Sequence, residues 1–156
     1  MDMLIKFSLL LCALIATAVA DTPANCSYDE IVGTWDFHVG SAGHDNTLEC
    51  LNYYVEKKVK VILSFPDVAT DEQGNKGFWT LIYNQGFEVV LNGRKYFAFS
   101  LYKQDNKTVT SLCHSTFPGW SHDLQGNDWA CYYGTKEKSS SQVAAQLPPK
   151  TPFYSK

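Results

Sequence analysis

The stretch FEVVLNGRKYFAFSLY, residues 87–102, decides the fold class. Apolar side chains alternate with others along residues 87–91 and again along residues 95–102, which is the period of a strand that buries one face. Asn92-Gly93 lies between the two runs and is the strongest short hairpin signal, because both residues tolerate the left-handed backbone of a tight turn. We therefore expect an antiparallel hairpin centred on this pair.

The same alternation recurs on both sides of this hairpin. Trp35, Phe37 and Val39 alternate with Asp36 and His38. Further strand-like runs occupy residues 58–65, 78–83, 108–114 and 129–133, and turn residues separate them at 71–75, 84–86 and 105–106. Seven or eight short antiparallel strands predict an all-β barrel or sandwich, and no stretch after residue 20 shows sustained helical periodicity.

The two ends of the chain differ from this body. Residues 7–20, FSLLLCALIATAVA, are apolar and end in an Ala-x-Ala pattern, which predicts a signal peptide over residues 1–20. Fourteen apolar residues are too few to span a bilayer, which needs about 20, so we expect no membrane anchor. Residues 135–156 are polar and rich in Ser and Pro, and we expect them to form a disordered tail.

Composition excludes one class of partner. The chain has 156 residues, enough for one domain, and its 16 acidic and 13 basic side chains give a net charge of −3. Because it has no run of Lys or Arg, we expect it not to bind nucleic acid.

Cysteine use agrees with a secretory chain. Cys26, Cys50, Cys113 and Cys131 remain after the leader, and four cysteines in such a chain predict two disulfides, with three connectivities left open. Neither the cysteines nor the histidines have zinc-site spacing, so we expect no metal. The sequons at Asn25 and Asn106 predict N-glycosylation at surface positions.

Several blocks, taken together and in order, resemble the N-terminal exclusion domain of the cathepsin C (dipeptidyl peptidase I) family. These blocks are DTPANC at 21–26, GTW at 33–35, YNQGFEVVLN at 83–92, FAF at 97–99, GW at 119–120 and NDWAC at 127–131. The resemblance covers residues 21–134, which we assign to one domain.

The resemblance implies a fold and a setting. It implies an eight-stranded antiparallel up-and-down β-barrel with disulfides Cys26–Cys113 and Cys50–Cys131. The barrel would pack on a papain-like catalytic domain and fill the non-primed end of its cleft, so that the enzyme removes dipeptides from free N-termini. It also implies a lysosomal or secreted enzyme that binds chloride and forms a tetramer, whereas this chain itself would need no cofactor.

Two sets of site residues follow from the resemblance. The carboxylate of Asp21, the first residue after the predicted leader, would bind the protonated α-amine at the substrate N-terminus. Leu101, Tyr102 and Leu112 would belong to a hairpin that helps to close the cleft.

The resemblance does not extend to the catalytic part of the family. No Cys-Gly-Ser-Cys nucleophile block follows residue 134, so we expect the chain not to hydrolyse peptides on its own. A fragment, a splice product and a stand-alone domain all remain open. A small-ligand carrier of the lipocalin or avidin type is the alternative function, because Gly33-Thr34-Trp35 near the start of a barrel also fits such proteins. Catalysis by His122-Asp123 or His114-Ser115 is a weaker third hypothesis, since neighbours on a strand point to opposite faces.

Overall fold

A computed structural model describes residues 21–137, and the predicted leader and residues 138–156 lie outside the described part. This part contains one short helix and nine strands. They are α1 (Tyr28–Ile31), β1 (Gly33–Gly40), β2 (Val55–Ser64), β3 (Val68–Asp71), β4 (Lys76–Ile82), β5 (Gly86–Leu91), β6 (Arg94–Asp105), β7 (Thr108–Thr116), β8 (Gly119–Asp123) and β9 (Trp129–Lys136). Strand β9 includes residues 135 and 136, which were predicted to belong to the tail.

Eight of these strands close into a ring. Strands β1 to β6 pair in sequence order, β6 then pairs with β8, β8 with β9, and β9 with β1, and every pairing is antiparallel. The predicted eight-stranded antiparallel barrel is therefore confirmed. Strand β7 is a ninth strand that lies outside this ring. It pairs mainly with residues 100–105 of β6 and has one pairing with β9.

Large side chains fill the barrel interior. Trp35, Phe37, Phe87 and Tyr132 are completely buried, and Tyr96 nearly so. The ring centroids of Trp35 and Phe87 are 4.9 Å apart, and that of Phe37 lies 5.1 Å from Tyr96 and 5.0 Å from Tyr132. These are the separations of packed aromatic pairs, so the interior is a solid core.

Helix α1 covers one end of the barrel, which we call the upper end. The Glu30 carboxylate accepts hydrogen bonds from the Ser27 amide and hydroxyl, at 2.9 and 3.0 Å, and so fixes the first turn of this four-residue helix. Trp35 Nε1 donates to the Ile31 carbonyl at 2.8 Å, and the Tyr28 ring lies 4.9 Å from Trp79. These contacts seal the core beneath α1. This helix was not predicted from the sequence, because a single turn has no periodicity to detect.

The β5–β6 hairpin turns at Asn92-Gly93, as predicted. Asn92 and Gly93 have φ values of 52° and 72°, and Leu91 pairs with Arg94 directly across the turn. The Asn92 side-chain amide donates to the Asp71 carboxylate at 2.7 Å and so ties this turn to the β3–β4 turn at the lower end of the barrel.

Both disulfides have the implied pairing. Cys26 bonds to Cys113, 87 residues away, and Cys50 bonds to Cys131, 81 residues away. The second bond fastens the long β1–β2 loop to strand β9. The first bond lies at the upper end, beside β7.

We expect Asp71 to make the stability of the fold depend on pH. Its buried carboxylate accepts hydrogen bonds from Asn92, from the side chain and amide of Asn75 and from the amide of Gln73, and these bonds hold its pKa below the ordinary value, those from Asn92 and Asn75 most strongly. A lowered pKa in the folded state stabilises the fold above the unfolded-state pKa of about 4, and this contribution disappears as the pH falls through the folded-state pKa.

We expect Asp71→Ala to lower the midpoint of thermal unfolding at pH 7, and the difference from the parent to shrink steadily below about pH 4. Circular dichroism melts at pH 7, 5, 4 and 3 measure this, with Glu72→Ala as the exposed neighbouring control. A deficit that stayed constant down to pH 3 would contradict the assignment.

Candidate functional site

The end of the β6–β7 hairpin projects beyond the barrel. Strand β6 pairs with β5 and β8 only up to Phe99, whereas residues 101–105 pair with β7 alone. The register runs from Leu101 opposite Leu112 to Asp105 opposite Thr108. Five residues at ~3.4 Å each give a two-stranded ribbon about 17 Å long, which we call the ribbon.

Successive pairs of the ribbon face opposite sides. Tyr102 lies opposite Ser111 and Gln104 opposite Val109, and these four residues share one face. The other face is formed by three pairs: Leu101 with Leu112, Lys103 with Thr110, and Asp105 with Thr108. The hairpin residues named from the sequence are therefore in the ribbon as expected, but Tyr102 lies on a different face from Leu101 and Leu112.

The base of the ribbon is irregular and firmly anchored. Ser100 pairs with Thr116, but Leu101 pairs with Leu112, so residues 113–115 have no partner on β6. Cys113 lies in this bulge and is bonded to Cys26, while Ser115 pairs with Thr135 on β9. The Tyr102 ring packs edge-on against Phe117 at 5.3 Å. The ribbon thus projects from a base held by a disulfide and a sheet contact.

The first described residues form a pinned segment, residues 21–26, which we call the tether. The Cys26 amide donates to the Asn84 carbonyl at 2.8 Å, and the Asn25 amide donates to Ser111 Oγ at 2.9 Å. The Thr22 amide donates to Gln85 Oε1 at 3.2 Å, and Ala24 is buried. The tether therefore lies between the β4–β5 turn and the ribbon base.

The β4–β5 turn, at the upper end of the barrel, accepts hydrogen bonds from the tether at Asn84 and Gln85. Tyr83 and Asn84 have φ values of 48° and 59°, and the Gln85 amide donates to the Ile82 carbonyl at 2.9 Å. Two central residues with positive φ match the twist of the flanking strands. Tyr83 consequently projects from the upper end with 88% of its surface exposed. No role was predicted for Tyr83, Gln85 or Ser111, because their place beside the tether depends on contacts between residues that are distant in sequence.

Asp21 lies at the exposed end of the tether. Its carboxylate forms no hydrogen bond or ion pair with any residue in the range 21–137. A carboxylate that is free at the end of a pinned segment can accept hydrogen bonds from an external cation.

Both sequons lie on the surface. Asn25 is exposed in the tether, and its Oδ1 accepts a hydrogen bond from Asn84 Nδ2 at 3.2 Å. Asn106 is exposed in the turn at the tip of the ribbon, with a φ of 50°. Asn106 is thus well separated along the ribbon from the tether.

The described residues give no support to catalysis by His122-Asp123. His122 Nδ1 contacts the backbone carbonyl of Asp123 at 2.6 Å, and its ring packs on Trp129 at 4.4 Å, so the adjacent His and Asp do not form a catalytic pair. Residues 21–137 contain no group of three His, Cys, Asp or Glu side chains able to hold a metal ion. No helix in the same range is long and apolar enough to cross a membrane.

The fold and site define a disulfide-bridged, solid-cored β-barrel that carries a pinned N-terminal segment and a projecting ribbon at one end. The sequence profile of the cathepsin C exclusion domain matches residues 21–136, and the chain belongs to this family. Cathepsin C of Schistosoma mansoni is 44% identical to the chain over 116 residues, which are 74% of this chain and 24% of that protein. The chain therefore spans about a quarter of the length of the relative that it matches.

We expect the hydrogen bond between Asn25 and Ser111 to limit the mobility of the tether. We expect Ser111→Ala to raise the hydrogen-exchange rate of the Asn25 amide about fivefold, because a single hydrogen bond stabilises by about 1 kcal/mol. Thr110→Ala, which alters the opposite face of the ribbon, is the control and should leave that rate unchanged. NMR measures the exchange rate of the Asn25 amide in the parent and in both variants. Equal rates in all three would show that the tether is not held by Ser111.

Proposed function

We propose that this chain is the exclusion domain of a dipeptidyl peptidase, and that it closes the non-primed end of a papain-like cleft so that dipeptides are removed from free N-termini. Membership of the cathepsin C exclusion domain family supports this proposal. The observation that carries it is the arrangement of the upper end, where the tether with Asp21 and the ribbon project side by side from one rigid barrel.

Asp21 is proposed to bind the substrate amine. An enzyme that removes two residues must locate the charged N-terminus at a constant depth, and a carboxylate at the end of a pinned segment does this. Hydrogen bonds at Thr22, Asn25 and Cys26 limit the movement of the tether. A hydrogen bond to a charged group contributes roughly 1.5–3 kcal/mol, enough to discriminate a free amine from a blocked one.

The ribbon is proposed to close the cleft beyond the amine. Its length of about 17 Å is sufficient to cross the end of a peptide-binding groove. The disulfide and the β9 contact at its base support a fixed position, which a steric barrier needs.

The chain itself is proposed to be non-catalytic, with a papain-like catalytic domain as its partner. Two disulfides and the predicted leader support a secretory route, to the lysosome or outside the cell. N-glycosylation of Asn25 and Asn106 accords with their exposure. Chloride binding and a tetramer are predictions for the complete enzyme, and no residue of this chain is assigned to either.

A small-ligand carrier is not favoured. Such a carrier needs an interior cavity, whereas the aromatic core fills this barrel. A half-open depression of about 210 Å³ lies at the lower end, between Lys57, Leu91, Arg94 and Tyr96. Its volume lies below the range of about 300–1,000 Å³ of ordinary ligand pockets, and it lies outside the filled interior of the barrel.

The test of the proposal uses Asp21→Asn, which keeps the side-chain shape and removes the charge. Residues 21–136 replace the matching domain of the Schistosoma mansoni relative, and kcat/KM is measured for dipeptide amides with free and acetylated N-termini. We expect the substitution to lower kcat/KM for the free-amine substrate roughly 30- to 150-fold, which corresponds to a loss of about 2–3 kcal/mol of transition-state stabilisation. We also expect it to reduce the discrimination against the acetylated substrate.

Asp29→Asn is the matched control, because Asp29 is an exposed acid in α1 at the same end of the barrel. We expect it to leave both rates unchanged. The proposed role of Asp21 fails if Asp21→Asn keeps the selectivity of the parent. The proposed exclusion role fails if the parent chimera cleaves internal peptide bonds and releases no dipeptides.

A further inference from the structure

We infer that Gln104 and Val109, a cross-strand pair near the end of the ribbon, determine specificity by facing the substrate amine, whereas the adjacent pair Lys103 and Thr110 faces away from it. This inference rests on the proposed function and assigns the working face of the ribbon. It follows from the register of β6 and β7 and from the position of the tether.

The register separates the two pairs. Directly opposite residues of an antiparallel ribbon share a face, and consecutive pairs alternate. Gln104 and Val109 therefore share a face with Tyr102 and Ser111, and Lys103 and Thr110 lie on the reverse.

Two bonds identify the face along which the tether lies. The Asn25 amide donates to the side chain of Ser111 and so reaches the face that Ser111 shares with Val109. The disulfide from Cys26 to Cys113 joins the tether to the same strand two residues further along. Asp21 is only four residues before Asn25, the residue bonded to Ser111, so its Cα atom lies within about 14 Å of that of Asn25.

The charge distribution agrees with this assignment. The face with Tyr102, Gln104, Val109 and Ser111 carries no charged side chain, whereas the reverse face carries Lys103 and Asp105. A surface that receives a substrate ammonium beside Asp21 benefits from the absence of a competing cation. Val109 is 36% exposed and so offers an apolar contact next to the amine.

The test places the same charge on each face. In the chimera described above, Val109→Lys and Thr110→Lys introduce a lysine at neighbouring, exposed positions. We expect Val109→Lys to lower kcat/KM for free-amine dipeptide amides about fivefold at low ionic strength, and this loss to fall below about twofold in 0.5 M salt, because a nearby like charge repels the ammonium and salt screens it. Thr110→Lys is expected to stay within twofold of the parent.

Equal effects of both lysines, or no effect of either, in a chimera that releases dipeptides would overturn this inference and leave the proposed function standing. A parent chimera that fails to release dipeptides would overturn both.

A second measurement on residues 21–156 alone does not depend on catalysis. A nitroxide label is attached to Val109→Cys or to Thr110→Cys, and the broadening of the Thr22 and Asn25 amide signals is compared by NMR. We expect stronger broadening from the label at position 109. Equal or weaker broadening from that position would show that the tether does not lie on this face.

Discussion

The disulfide between Cys26 and Cys113 is the constraint on which the upper end of the molecule depends. It joins the tether to the bulge at the base of the ribbon, two elements that are 87 residues apart in the chain. A cross-link that closes so long a loop removes much of the entropy of the unfolded chain. Without it, hydrogen bonds at Thr22, Asn25 and Cys26 and the burial of Ala24 would be left to hold the tether against the base of the ribbon.

The packed barrel keeps the two elements joined by this disulfide in a fixed position. The aromatic interior leaves little room for the strands to shift, because packed cores resist deformation. Helix α1 seals the upper end and β9 holds the base of the ribbon, so the proposed site is built on elements with few degrees of freedom. The barrel serves as a fixed base, and the two projecting elements are the parts proposed to meet another domain and its substrate.

Local patterns predicted much of the fold. The alternation around Asn92-Gly93 identified the β5–β6 hairpin, and the turn adopts the expected left-handed conformation. Strands β3 and β8 have only four and five residues and were missed, because so few residues give little alternation to detect. The departure of β7 from the ring and the contact between Asn25 and Ser111 join residues distant in sequence, so no local pattern reveals them. The family resemblance supplied the disulfide pairing and the proposed roles of Asp21 and the hairpin, but not the face on which each hairpin residue lies.

The central claim is that the Asp21 carboxylate binds the substrate amine at a depth set by the pinned tether. The most direct measurement is a crystal structure of a complete enzyme that contains residues 21–136, with a dipeptide product bound. We predict that the amine nitrogen lies about 2.7–2.9 Å from an Asp21 carboxylate oxygen, the distance of a charge-assisted hydrogen bond. An amine bound by groups of another domain, with Asp21 in solvent, would contradict the claim.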